Sequence, residues 1–159
     1  MQISSNAVGV LKKYEQGPKG GHARYVYICP AGHPTIGYGH VVLPDEKFVG
    51  EMTEAEAHAL LMKDAGKFER GVSKAVTVPV TQSQFDAMVL LAFNTGLANF
   101  TSSTLLKLVN QSKFQLASGE FGKWVYGTVK GKKVVLNGLV YRRKTEAHLF
   151  ISGKVTYFN

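Results

Sequence analysis

Apolar side chains at the start of the chain fall at helical spacing: Ala7, Val8, Leu11 and Tyr14. Ser4, Ser5 and Asn6 precede them as candidate caps, Lys12 and Lys13 suit a last turn, and Gly17-Pro18 stops the helix. The pattern then changes. Ala23-Arg-Tyr-Val-Tyr27 is aromatic and β-branched, and residues 20–43 predict a small antiparallel sheet with its loops. Such a sheet must pack on helices to persist. Thr53-Glu-Ala-Glu56 is a capping box, after which Ala57, Leu60, Leu61, Asp64, Ala65, Phe68 and Val72 trace a mostly apolar stripe. This predicts one long helix over about 54–75, with Pro79 ending the linker behind it. A second box, Thr81-Gln-Ser-Gln84, opens the run Phe85 to Phe93, apolar nearly all round as a buried central helix should be. A short helix follows Ser102-Ser103, and Phe114 to Trp124 is helical but interrupted at Gly119 and Gly122. Residues 127–138 read as an exposed basic hairpin. A final helix carries Arg142, Arg143, Glu146, Leu149 and Phe150 and stops at Gly153.

These elements place the chain in the α+β class, as one domain over residues 1–159. A small antiparallel β lobe occupies about 15–50, a connecting helix about 54–78, and a larger helical lobe the first helix with 80–159. Composition narrows the classes. With 45% hydrophobic and 19% charged residues, the 159-residue chain carries a sizeable core and is not a disordered protein. Its net charge of +8 favours an anionic partner: nucleic acid, acidic lipid or an anionic cell wall. The single cysteine excludes an intramolecular disulfide and any cysteine-based metal cluster. Neither a secretory signal nor an apolar run near the roughly 20 residues of a membrane span is visible, so cytoplasmic synthesis without membrane insertion is expected.

The chemistry concentrates in Cys29-Pro-Ala-Gly-His-Pro-Thr-Ile-Gly-Tyr-Gly-His40. Its glycines and prolines shape a loop and short strand, a setting where a ligand can approach backbone closely. Glu15 is the only acidic residue before Asp45, so carboxylate chemistry beside this loop must use it. It sits at a helix C-terminus, where the dipole disfavours negative charge and favours the protonated form that a general acid needs.

At these residues the chain resembles a phage endolysin of the T4-lysozyme type, a muramidase family. Tyr14-Glu15 at the end of the first helix looks like the family's catalytic Glu site, and Thr35-Ile-Gly-Tyr-Gly-His40 matches its loop. Met52-Thr-Glu-Ala-Glu-Ala57, Gln84-Phe-Asp-Ala-Met-Val89 with Phe93-Asn-Thr-Gly96, and Gly138-Leu-Val-Tyr-Arg-Arg143 with Glu146 are similar to later family blocks. Two departures matter. Cys29 stands where the family usually has Asp, six positions before Thr35, although some phage members also carry Cys there. The stretch Gly17–His22 is about five residues longer than the family's spacing, an extension that a turn tolerates cheaply.

The resemblance implies a lysozyme-like fold and hydrolysis of the β-1,4 bond between N-acetylmuramic acid and N-acetylglucosamine, for host lysis at the end of a phage cycle. Inverting hydrolysis needs an acid on the leaving oxygen and a water-positioning group on the opposite face. Glu15 takes the first role, Thr35 would hold the water, and Cys29 would assist it as a thiolate. An unperturbed thiol is mostly protonated at neutral pH, so Cys29 is placed by position more than by chemistry. Val41, Phe93 and Ser103 occupy positions that line the family's saccharide cleft. His40 is expected to lock the loop near Glu15, and Lys130, Lys132 and Lys133 to steer the enzyme to peptidoglycan. His22 and His33 lack metal-ligand company, so neither metal nor cofactor is expected. A monomer that does not bind nucleic acid, released from the host cytoplasm by a separate holin to reach the wall, completes the expectation. Competing readings are a lytic transglycosylase, which uses one Glu and no water, and a Cys29-His33 or Cys29-His40 peptidase or amidase. The peptidase is weakened by Pro30, which has no N–H for an oxyanion hole. A catalytically dead wall- or nucleic-acid-binding module is a third.

Overall fold

The computed structural model describes residues 1–159, in two compact units: residues 8–67, and residues 1–7 together with 68–159. Two helices, α1 (Ser5–Tyr14) and α2 (Glu54–Ala75), run through both divisions of the sequence.

In the first unit, β1 (Ala23–Ile28), β2 (Pro34–Gly37) and β3 (His40–Val41) form a three-stranded antiparallel sheet in the order β1-β2-β3. The turn between β1 and β2 follows from its residues. Gly32 N–H donates to Cys29 O (2.8 Å) and Cys29 N–H to His33 O (2.9 Å). Pro30 has the fixed φ that the first central position prefers, and Gly32 takes the positive φ of 86° that closes the hairpin. Between β2 and β3, Gly37 and Gly39 hold φ of 65° and 74° around Tyr38. α2 begins at the expected capping box: Glu56 N–H donates to Thr53 Oγ1 (3.1 Å), and Thr53 N–H to Glu56 Oε1 (3.0 Å). Ala57, Leu61 and Ala65 turn inward from this helix, as the stripe requires.

The second unit is helical around α3 (Gln82–Thr95), which is buried from Phe85 through Ala92 and packs most extensively on α7 (Asn137–Ser152). Its capping box at Thr81 and Gln84 forms in full. Asp86, 2% exposed inside that apolar run, accepts from Ser4 N–H (3.0 Å), the Ser4 hydroxyl and Gln82 Nε2 (2.9 Å). Ser4 therefore spends its hydroxyl on Asp86, not as a cap of its own helix. α4 (Leu97–Thr101) is a short helix that the periodicity did not announce, because one turn carries no repeat. α5 (Thr104–Asn110) and α6 (Phe114–Ser118) follow, then a 3-10 turn at Phe121–Lys123. β4 (Tyr126–Val129) and β5 (Lys132–Val135) make the basic hairpin around Lys130-Gly131, but Asn137 and Gly138 belong to α7, not to the hairpin. The ladder closes at Val135, and Leu136 N–H turns back to Val125 O (2.9 Å). Gly153, left-handed at φ 74°, ends α7.

In α7 a buried ion cluster replaces apolar packing. Arg143 meets Glu146 through Nε–Oε1 (2.7 Å) and Nη2–Oε2 (2.8 Å), and Arg142 Nε lies 3.5 Å from the same carboxylate. Burial pushes the Glu146 carboxyl up, against the pull of both guanidinium groups. Arg143 Nη1 also donates to Asn94 Oδ1 (2.8 Å), tying α7 to the end of α3.

Candidate active site

Of the residues that drew attention in the sequence, Thr35 and Val41 share one face of the three-stranded sheet, while His40, paired with Ile36, lies on the other. Directly opposed residues of an antiparallel ladder share a face, and every second residue of a strand returns to it. Thr35 is paired with Tyr27 on one side and Val41 on the other, so Tyr27, Thr35 and Val41 form one row. Cys29 lies two residues beyond Tyr27 and falls on the same side.

Glu15 follows the last residue of α1, its N–H still bonded to Leu11 O (2.8 Å). Its carboxyl lies against the backbone of the β2–β3 turn. A methyl group at Gly39 would stand 2.9 Å from Glu15 Oε2 and 3.5 Å from Glu15 Cβ. Glycine is required here twice, by its φ of 74° and by this approach. The charges of Cys29 and Glu15 are both felt at Tyr27: burial pushes its phenol up first, and those two groups push it further. Tyr27 is thus held as a neutral hydroxyl within electrostatic reach of Glu15 and Cys29.

Cys29 sits in a nest of turn amides. Hydrogen bonding from His33 N–H draws its thiol below the ordinary range, slight burial opposes this, and the Thr35 hydroxyl with the Ala31 and Gly32 amides adds to it. Thr35 is 3% exposed, and its Oγ1 donates to His33 O at 3.0 Å. With one proton, the hydroxyl serves either that carbonyl or the Cys29 sulfur at a given moment.

His40 locks the loop through two carboxylates, not through Glu15. Nδ1 meets Asp64 Oδ2 and Nε2 meets Glu46 Oε1, each at 2.8 Å. Burial alone lowers the imidazole pKa, but these two partners reverse the sign and raise it. Glu46 is held down in turn, by Leu43 N–H first and by His40 next. Behind the Gly37–Gly39 turn, Tyr38 donates to Glu54, which also meets Lys12 Nζ (3.1 Å). Burial and that carboxylate push the Tyr38 phenol up to about 12. Lys12 on α1, Tyr38 on the turn and Glu54 on α2 thereby fix the two segments that bring Glu15 and Gly39 together.

The structure brings Glu15, Cys29, Thr35 and Val41 into the unit of residues 8–67. Val41 is 47% exposed on β3. Phe93 and Ser103 belong to the other unit. The Phe93 ring centroid lies 5.1 Å from that of Phe68. Ser103 Oγ caps α5, accepting from Leu106 N–H (3.1 Å) and donating to Phe100 O (2.6 Å). Sequence reading missed Tyr27, whose signal was available: it precedes Cys29 by two in a strand. It also missed Glu46 and Asp64, for which no local pattern exists.

The phage lysozyme family model matches residues 19–146. The chain is 39% identical over 153 residues to an endolysin of Acyrthosiphon pisum secondary endosymbiont phage 1, covering 96% of this chain and 99% of that one. It spans 56% of the length of each of two longer Bacillus phage endolysins. Among solved structures, an endolysin from Escherichia coli O157:H7 phage FAHEc1 superposes with a TM-score of 0.88 at 34% identity, covering 98% and 97% of the two chains. The muramidase domain of SpmX from Asticaccaulis excentricus does so at 0.82 and 32%, covering 95% and 98%.

Proposed function

Because the chain belongs to the phage lysozyme family, and is thus a peptidoglycan-lysing glycoside hydrolase, we propose that it is a muramidase with Glu15 as its general acid. The bond cleaved is the β-1,4 link between N-acetylmuramic acid and N-acetylglucosamine. The observation that carries this reading is the seating of the Glu15 carboxyl against Gly39, with Cys29 and Tyr27 in electrostatic reach. A general acid must stand within reach of the leaving oxygen, and this carboxyl is held beside the sheet that carries Thr35.

In this mechanism Glu15 protonates the glycosidic oxygen as the C–O bond breaks. A water held by the Thr35 hydroxyl attacks the anomeric carbon from the opposite face and gives the inverted product. Cys29, as a thiolate in its nest of amides, accepts the proton that this water loses. Val41, and by family resemblance Phe93 and Ser103, contact the sugar. The peptidase reading loses one of its two candidate bases, since both nitrogens of His40 are committed to carboxylates. No helix of the chain is long and apolar enough to cross a membrane. We assign access to the wall to a separate holin acting on the host membrane.

Mass spectrometry of Gram-negative peptidoglycan digested by the wild type and by Glu15→Gln tests the assignment. Reducing muramic acid ends, lost in the variant, are expected. Anhydro-muramic ends would make the enzyme a transglycosylase, and freed peptide amines would move the chemistry to Cys29.

A further inference from the structure

Resting on the muramidase reading, we propose that the groove between the Gly17–His22 segment and β1 is a subsite for the carboxylate-bearing peptide branch of the wall polymer. The groove has a volume of about 540 Å³ and is lined by Lys19, His22, Arg24, Tyr25 and Tyr27, among others. No Asp or Glu lines it.

The extra residues of this segment build the groove. Gly17 N–H donates to Gly21 O (2.7 Å) and Gly20 N–H to Gly17 O (3.0 Å), curling the segment over the strand. Gly17 closes the floor: a methyl group there would lie 2.9 Å from Ala23 Cβ and 3.0 Å from Ala23 backbone. Any larger residue at 17 forces the segment away from β1. His22 forms a fixed wall, its Nε2 bonded to Met52 O (2.9 Å).

Position and charge select the ligand. Tyr27 lines the groove and also stands in the row with Thr35, so the groove leads off the face that receives the scissile bond. Residues 23–27 of β1 line it, a run of about 16 Å at the rise of a strand, which matches four to five extended peptide residues. The glycan backbone carries no free carboxylate once its lactyl group is joined to peptide, so the anionic charge sits on that branch. Lys19 and Arg24 provide the complement. Arg24 meets Glu51 at 3.3 Å in an exposed pair, which a ligand carboxylate can replace at little cost.

Two measurements test this. Steady-state kinetics would compare glycan strands bearing intact peptides with the same strands stripped by an amidase. The wild type should show a KM about fivefold lower for peptide-bearing strands, the size of one or two partly exposed charge contacts. In K19E/R24E that ratio should collapse toward one, with an unchanged melting temperature reporting the fold. An unaltered ratio in the variant overturns the proposal. Independently of turnover, titrating Glu15→Gln with a soluble disaccharide-tetrapeptide should shift the amide signals of Gly20, Gly21 and Tyr25, and shifts that spare these residues overturn it. If the wild type releases no reducing ends from either strand, the muramidase reading fails, while the titration still decides the groove.

Discussion

Gly39 combines a left-handed backbone with direct contact to Glu15, so one added methyl group acts in two ways. Gly39→Ala pays about 1–2 kcal/mol for the conformation and displaces the carboxyl. A shift near 1 Å at a reacting group costs on the order of 100-fold in rate. The expected result is a kcat about 100-fold lower with a smaller change in KM, measured on peptidoglycan in steady state. Full activity would show that this turn does not seat the acid. For Cys29, hydrogen bonding to the sulfur stabilises the thiolate. The pH midpoint of its alkylation by iodoacetamide should therefore fall below the ordinary thiol value near 8.5, and Thr35→Val should move it back up. Glu15, Cys29 and Thr35 were legible as candidates because a helix end and one strand pair carry them within 21 residues of sequence. Tyr27 needed the strand register, and its role follows from facing Thr35.

At the scale of elements, His40 ties the β3 end of the sheet to α2 through Asp64 and to the following loop through Glu46. Lys63 adds its positive charge near Glu46. Because the folded imidazole has a raised pKa, its contribution to stability is complete below the unfolded value of about 6.5 and is lost as pH rises through the folded value. The melting-temperature gap between wild type and His40→Gln should thus be widest in mild acid, roughly 1–3 kcal/mol in free energy, and narrow in alkali. A gap independent of pH would mean that the ring acts by packing alone. Long helices were legible from capping boxes and apolar stripes, and α2 and α3 begin where Thr53 and Thr81 say they should. α4 and the start of α7 were not: one has a single turn, and the other lacks a side-chain cap at Leu136. The carboxylates that hold His40 are set by tertiary approach, which periodicity does not encode.

Over the whole molecule, two features set stability and encounter. Glu146 is fully buried between Arg142 and Arg143. Glu146→Gln removes the buried negative charge that faces both guanidinium groups, at a cost of about 3–5 kcal/mol. In a chain of this size that lowers the melting temperature on the order of 10 °C, readable by calorimetry. The net charge of +8 should draw the enzyme to an anionic wall. Digestion of sacculi at low substrate should fall about tenfold as ionic strength rises from roughly 0.01 to 0.15 M, and a flat salt profile would remove steering from the account. The division of the chain into residues 8–67 and the remainder also bears on descent. Glu15, Cys29, Thr35 and their supports His40, Glu46, Glu54 and Asp64 all fall inside one contiguous stretch. A genetic crossover between phages that falls between Lys67 and Phe93 passes that set on intact, while Phe93 and Ser103 arrive from the other parent. The residues proposed for bond breaking are thus inherited as a block, and the positions proposed for sugar contact are free to be reshuffled around it.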